Sequence, residues 1–98
     1  MKGYVLAEVE VTDPTLFEQY RPLASASITA FGGRYLIRGG AAELAEGDRL
    51  LHRFVVLEFA SPERAREWYH SPQYQAAKAI RERAARTDLF LIDGHDPT

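Results

Sequence analysis

Residues Tyr4 to Val11 alternate between two faces, with Val5, Ala7, Val9 and Val11 on one and Tyr4, Leu6, Glu8 and Glu10 on the other. A period of two predicts a strand. Asp13-Pro14 follows as an N-cap with proline at the first helical position, where the missing N–H costs nothing. Phe17, Tyr20, Ala24, Ile28 and Phe31 then recur at helical spacing as one buried stripe. Pro22 interrupts that stripe. An interior proline costs about 3 kcal/mol, so the pattern predicts a kink or two short helices in succession. Gly32-Gly33 ends the segment as a left-handed C-cap would.

Arg34 to Arg38 reads as a second, short strand, broken by Gly39-Gly40 and followed by a polar stretch to Arg49 that predicts a long hairpin loop. Leu51 to Phe59, rich in β-branched and aromatic residues, is the third strand. Ser61-Pro62 and Ser71-Pro72 each open a helix in the manner of Asp13-Pro14. On the later helix, Ala76, Ala77, Ile80 and Ala84 form the expected packed side, and Arg81, Arg83 and Arg86 the solvated one. Leu89 to Ile92 is the last strand.

The order βαββαβ predicts an α+β, ferredoxin-like fold over residues 1–98 as one domain, with a four-stranded antiparallel sheet and both helical segments on one face. Strict alternation then sets Leu6, Glu8, Phe54, Val56 and Glu58 on the opposite face, with Leu89 and Leu91 or their neighbours. Left in water, that much apolar area exceeds what monomers normally tolerate, so a homodimer of facing sheets is expected.

Composition narrows the function classes. With 12 basic and 14 acidic side chains in 98 residues, nothing favours nucleic acid, which needs clustered Lys and Arg. The absence of cysteine excludes disulfide scaffolds, thiolate metal sites and cysteine nucleophiles. No apolar run approaches the roughly 18 residues of a membrane span, and no signal-peptide core is readable, so a cytoplasmic protein without a membrane partner is expected.

Candidate chemistry concentrates in Trp68-Tyr69-His70-Ser71-Pro72-Gln73-Tyr74-Gln75. A Trp, two Tyr hydroxyls and a Gln amide near a helix break suit an apolar pocket with a few directed polar groups. The same residues suit plain core packing with Ser71 as a cap, the weightier account in a small domain. Arg34, Arg38 and Arg53 lie on neighbouring strands and could recognise a carboxylate, or pair with Glu8 and Glu58 as a structural network. Glu8 and Glu58 share a face on adjacent strands, where close approach would raise one pKa, unless arginines neutralise both. His52, His70 and His95 are spaced too irregularly for a local metal motif, and no metal or cofactor is expected. His70, beside the aromatic cluster, is the one placed to shuttle a proton, although a helix-end histidine is ordinarily a solvated cation. Gly39-Gly40 lacks the context of a phosphate loop.

Gly3-Tyr4, the run Gly32-Gly33-Arg34-Tyr35-Leu36-Ile37-Arg38-Gly39-Gly40, Val56-Leu57-Glu58-Phe59 and the aromatic segment from Trp68 to Gln75 together resemble a family of small bacterial proteins known only as a domain of unknown function, family 1330. The resemblance covers nearly the whole chain. It implies the dimeric α/β-barrel superfamily, in which two ferredoxin-like sheets face one another. That superfamily includes cofactor-independent quinol monooxygenases, haem-degrading monooxygenases, a muconolactone isomerase and ligand-sensing domains, so the fold does not choose a reaction.

Three functions therefore stand: a homodimer that binds a small aromatic or anionic molecule, a cofactor-independent monooxygenase- or isomerase-like enzyme, and a structural or interaction module. Arg38, Arg53, Trp68, Tyr69, His70 and Tyr74 are the expected pocket residues, and the catalytic residues, if any, are not readable.

Overall fold

Every helix in the chain begins with a short polar side chain folded back onto its own first turn. In the computed structural model, which describes residues 1–97, Asp13 accepts from the Leu16 N–H, Ser61 from Arg64 and Ser71 from Tyr74, each at 3.1 Å. A proline follows each cap, where no N–H is needed. These caps start α1 (Pro14–Ala30), α2 (Pro62–His70) and α3 (Pro72–Ala84). Ser71 alone joins α2 to α3, its hydroxyl also donating to the Trp68 carbonyl at 2.7 Å.

The strands are β1 (Gly3–Val11), β2 (Arg34–Arg38), β3 (Arg53–Phe59) and β4 (Ala85–Asp93), paired antiparallel in the order β2-β3-β1-β4. This is the ferredoxin-like arrangement, with the helices on one face. Residues 39–52, between β2 and β3, form no strand or helix. Among the described residues, no helix is long and apolar enough to cross a membrane.

Four local readings change. A single 17-residue α1 runs through Pro22 instead of dividing. Pro22 is exposed, while Phe17, Ala24, Ser27 and Ile28 bury the helix against the sheet on both sides of it, and that packing outweighs one lost bond. The fourth strand starts at Ala85, four residues earlier than its apolar stretch suggests, because Ala85, Arg86, Thr87 and Asp88 all pair with β1. Arg86 thus belongs to β4 and not to α3. The packed side of α3 is Tyr74, Ala77, Arg81 and Ala84, with Ala76 exposed, so Arg81 lies inside the protein. Gly32, at φ +73°, closes α1 as a left-handed C-cap. At Gly3, a Cβ would sit 2.5 Å from the Ser61 carbonyl oxygen, so only glycine lets β1 pass the start of α2.

The core lies between sheet and helices. Val5, Leu57 and Phe59 from the sheet meet Ala24 and Ile28 of α1, Ala65 and Trp68 of α2, and Tyr74 and Ala77 of α3. The other sheet face is uncovered. There Leu6 lies between Val56 and Phe90, Val56 faces Ile37, and Tyr4 lies between Glu58 and Ile92. Phe90, Ile37 and Ile92 are all exposed. The molecule is a slab of 41 × 38 × 16 Å with 6384 Å² of accessible surface. A compact monomer of this mass would expose roughly 5,600 Å².

Candidate functional site

The inward face of β1 carries Ala7 and Val9 where the strand crosses beneath α1. In register, Ala7 sits between Val55 and Leu89, and Val9 between Arg53 and Thr87. Phe17, Tyr20 and Ala24 of α1 lie above, with Tyr74 and Arg81 of α3 and Trp68 of α2 at the side. Small side chains at Ala7 and Ala24 are among those lining a cavity of about 60 Å³ between helices and sheet. A single water needs about 10–15 Å³ by the same measure, so a small organic group fits.

Four guanidiniums line this mostly apolar space: Arg21, Arg38, Arg53 and Arg81. Arg21 pairs with Glu18 at 3.0 Å. Arg38 lies 4.3 Å above the Tyr35 ring and donates to the Ser25 hydroxyl at 3.3 Å. Arg53 lies 5.7 Å from the Phe17 ring centroid. Partial burial, then the like charges of Arg21 and Arg38, push its pKa down. Among the described residues, Arg38, Arg53 and Arg81 form no ion pair. Net positive potential in a low-dielectric cleft attracts an anion.

Deeper in, the Tyr20 and Tyr74 hydroxyls are 3.1 Å apart and Arg81 Nη1 donates to Tyr74 at 2.7 Å. One hydroxyl proton makes the bond between the tyrosines, and the other stays available as a donor. Burial pushes both phenols above their ordinary value, so they are neutral donors at physiological pH. The cavity lining contains no carboxylate and no imidazole.

Of the six expected pocket residues, the fold brings Arg38, Arg53, Trp68 and Tyr74 together at this cavity. Tyr69 packs edge-on against Trp68, with ring centroids 6.3 Å apart, and does not line it. His70 is exposed at the end of α2, its ring 5.1 Å from Tyr69 and away from the cavity. The expected pairing of Arg38 or Arg53 with Glu8 or Glu58 does not form. Arg38 and Arg53 face the helices, and the carboxylates on the open face take Arg34 and Arg49 instead. Tyr20, Arg21, Arg81 and Thr87 were missed. For Arg81 the signal was present, since Tyr74, Ala77, Arg81 and Ala84 keep helical spacing, but charge argued for solvent.

Glu8 and Glu58 do share the open face, yet Glu58 lies four positions along β3 from Phe54, the register partner of Glu8. At about 3.4 Å per residue they are too far apart to share a proton. The His52 backbone N–H, then Arg49, hold the Glu8 carboxyl below its ordinary 4.5. Arg34, and to a lesser degree the Tyr4 hydroxyl, do the same for Glu58. Both are therefore ionised structural groups. A carboxyl whose folded pKa is depressed stabilises the fold above its unfolded value and loses that contribution as pH falls. Thermal melts are expected to give a constant Tm from pH 7 to about 5 and a falling one below about 4.5. A Glu8→Gln, Glu58→Gln double variant should fall less steeply over that range, and an equally steep fall would remove these groups as the cause.

Among the described residues, no three His, Asp or Glu side chains converge as a metal site would require. The chain belongs to the DUF1330 family, a domain of unknown function, which it matches over residues 2–95. None of the curated proteins compared with it matches. A protein of unknown function from Rhodopseudomonas palustris, RPA0582, shares its fold at a TM-score of 0.76 and 17% identity, over 98% of this chain and 84% of that one. SnoaB, a cofactor-independent oxygenase from Streptomyces nogalater, aligns at a TM-score of 0.64 and 11% identity, over 98% and 95% of the two chains. A dimeric ferredoxin-like protein of unknown function from Thermobifida fusca aligns at 0.63 and 18% identity, over 95% and 91%.

Proposed function

We propose that this member of the DUF1330 family is a homodimer that binds a small molecule, with an apolar, aromatic body and an anionic group, in the cavity between sheet and helices. The observation that carries the reading is the charge imbalance there. Of the four guanidiniums that line the void, Arg38, Arg53 and Arg81 have no carboxylate partner among the described residues, and the rest of the lining is mostly aliphatic and aromatic. Arg81 is buried and Arg53 half-buried, and a cation so placed without its counter-charge is costly to keep, a cost that a ligand anion removes.

The dimer is supported by the uncovered sheet face. Its exposed Ile37, Phe90 and Ile92, and a surface above that of a compact monomer of the same mass, fit a second copy's sheet laid against it. The description of the Thermobifida fusca neighbour as dimeric agrees.

The enzymatic alternative draws on the oxygenase among the structural neighbours. The cavity favours binding over acid–base chemistry, because its charged groups are guanidiniums and burial holds the Tyr20 and Tyr74 phenols protonated. No proton acceptor suited to neutral pH lines it.

Trp68 lines the cavity and is the only tryptophan, so its emission reports occupancy. Titration with phenylacetate, benzoate and phenylacetamide is expected to change that emission saturably for at least one of them. An Ala7→Leu variant that keeps the wild-type far-UV circular dichroism should lose the change, because the added side chain fills the void. If none of the three compounds alters the emission, or Ala7→Leu responds as the wild type does, the cavity is not the binding site.

A further inference from the structure

Arg81 breaks the rule that a charge taken out of water is paired. It is 7% exposed and forms no ion pair among the described residues. Its hydrogen bond runs from Nη1 to the Tyr74 hydroxyl. Among the described residues its Nε–H has no acceptor, and the Thr87 hydroxyl has no partner either. These two buried polar atoms are orphaned, and both residues line the same cavity from different elements, Arg81 on α3 and Thr87 on β4. A guanidinium needed only to brace Tyr74 could be replaced by a neutral donor at far lower desolvation cost. The pair reads instead as donors suited to a ligand that brings its own acceptors.

The shape of the remaining donors limits what that ligand is. With Nη1 committed to Tyr74, Arg81 retains the edge formed by Nε–H and the adjacent Nη2. That edge presents two parallel N–H bonds, the match for the two oxygens of a planar carboxylate. Thr87 can add a hydroxyl donor, and the spare proton of the Tyr20–Tyr74 pair another. Around them Ala7, Val9, Ala24 and Val55 supply apolar surface for the rest of the molecule.

We propose that Arg81, assisted by Thr87, is the anchor for a carboxylate that enters the cavity head first, the ligand being a small aromatic or aliphatic monocarboxylic acid. This rests on the binding function proposed above and names the group that the site selects. The mouth arginines Arg38 and Arg53 then act on the approaching anion, while Arg81 holds it.

Arginine side-chain Hε–Nε resonances of the wild-type protein, followed during titration with phenylacetate, test this without a variant. Phenylacetate is expected to move the Arg81 resonance downfield and saturably, and phenylacetamide to leave it in place. Arg81→Lys keeps the charge but loses the fork, and should weaken phenylacetate at least tenfold. Thr87→Val should weaken it severalfold, and both variants should reduce the preference for phenylacetate over phenylacetamide. If phenylacetate moves Arg38 or Arg53 instead, binds Arg81→Lys as tightly as wild type, or binds no better than the amide, the anchor is overturned while the cavity keeps its ligand. If neither compound binds and Trp68 emission is equally silent, both readings fall together. The wild-type resonances decide the matter even if Arg81→Lys does not fold.

Discussion

Trp68→Ala is expected to remove about 3–5 kcal/mol of stability, the usual cost of truncating a large core aromatic. A chain of this length has only about 5–15 kcal/mol in total, so the loss takes a large share of its stability. Trp68 is 1% exposed, with its ring centroid 4.1 Å from Tyr74 and 5.4 Å from Phe59. Its indole N–H donates to the Ser27 hydroxyl at 3.0 Å, and that hydroxyl in turn donates to the Ala24 carbonyl at 2.7 Å. Truncation therefore leaves a cavity against three elements and deprives a buried serine of its donor. Urea denaturation followed by far-UV circular dichroism measures the loss. A cost below about 1 kcal/mol would mean that α2 is not the keystone placed here between the sheet and α3.

Val56→Asp is expected to convert the dimer to a folded monomer. Val56 is at the centre of the open sheet face, opposite Leu6 on β1 and Ile37 on β2. Two-fold symmetry would bury each new carboxylate against its copy, without a partner and at a cost of several kcal/mol per ion. Within one chain the same side chain points to solvent, so the fold should survive. Native mass spectrometry should then give a mass near 11.1 kDa for the variant and near twice that for the wild type. A variant that remains dimeric would place the interface elsewhere, and a monomeric wild type would leave the open face without an occupant.

How much of this was legible in the chain depended on the range of the interaction concerned. Helix starts at Pro14, Pro62 and Pro72 were readable because a cap and a proline act within one turn of the backbone they start. The helix-facing side of β1 was readable for a similar reason, since the two-residue period is set by the strand itself. The continuity of α1 through Pro22 was not, because it depends on burial of Phe17 and Ile28 against strands distant in sequence. The early start of β4 was hidden in the same way, in polar residues that become a strand only by pairing with β1.

The candidate site divides along that line. Trp68 and Tyr74 could be singled out by type, and Arg38 and Arg53 by their place on neighbouring strands. His70 and Tyr69 carried the same local signal, but His70 is exposed and Tyr69 packs on the core outside the cavity, a matter of helix rotation that a nine-residue segment does not specify. Arg81 is the opposite case, a charged residue at a core position, made legible only by the hydroxyl and cavity that the folded chain gathers around it. By itself, then, the sequence determined most of the elements, their order and the apolar excess on one sheet face, which follow from local stereochemistry and periodicity, and the family, which rests on the resemblance of whole segments. Tertiary structure alone decided which arginines face inward, which ones pair with Glu8 and Glu58 on the open face, and where the cavity opens. Those depend on side chains that meet across elements far apart in the chain, where the cost of burying a charge is set by its neighbours in space.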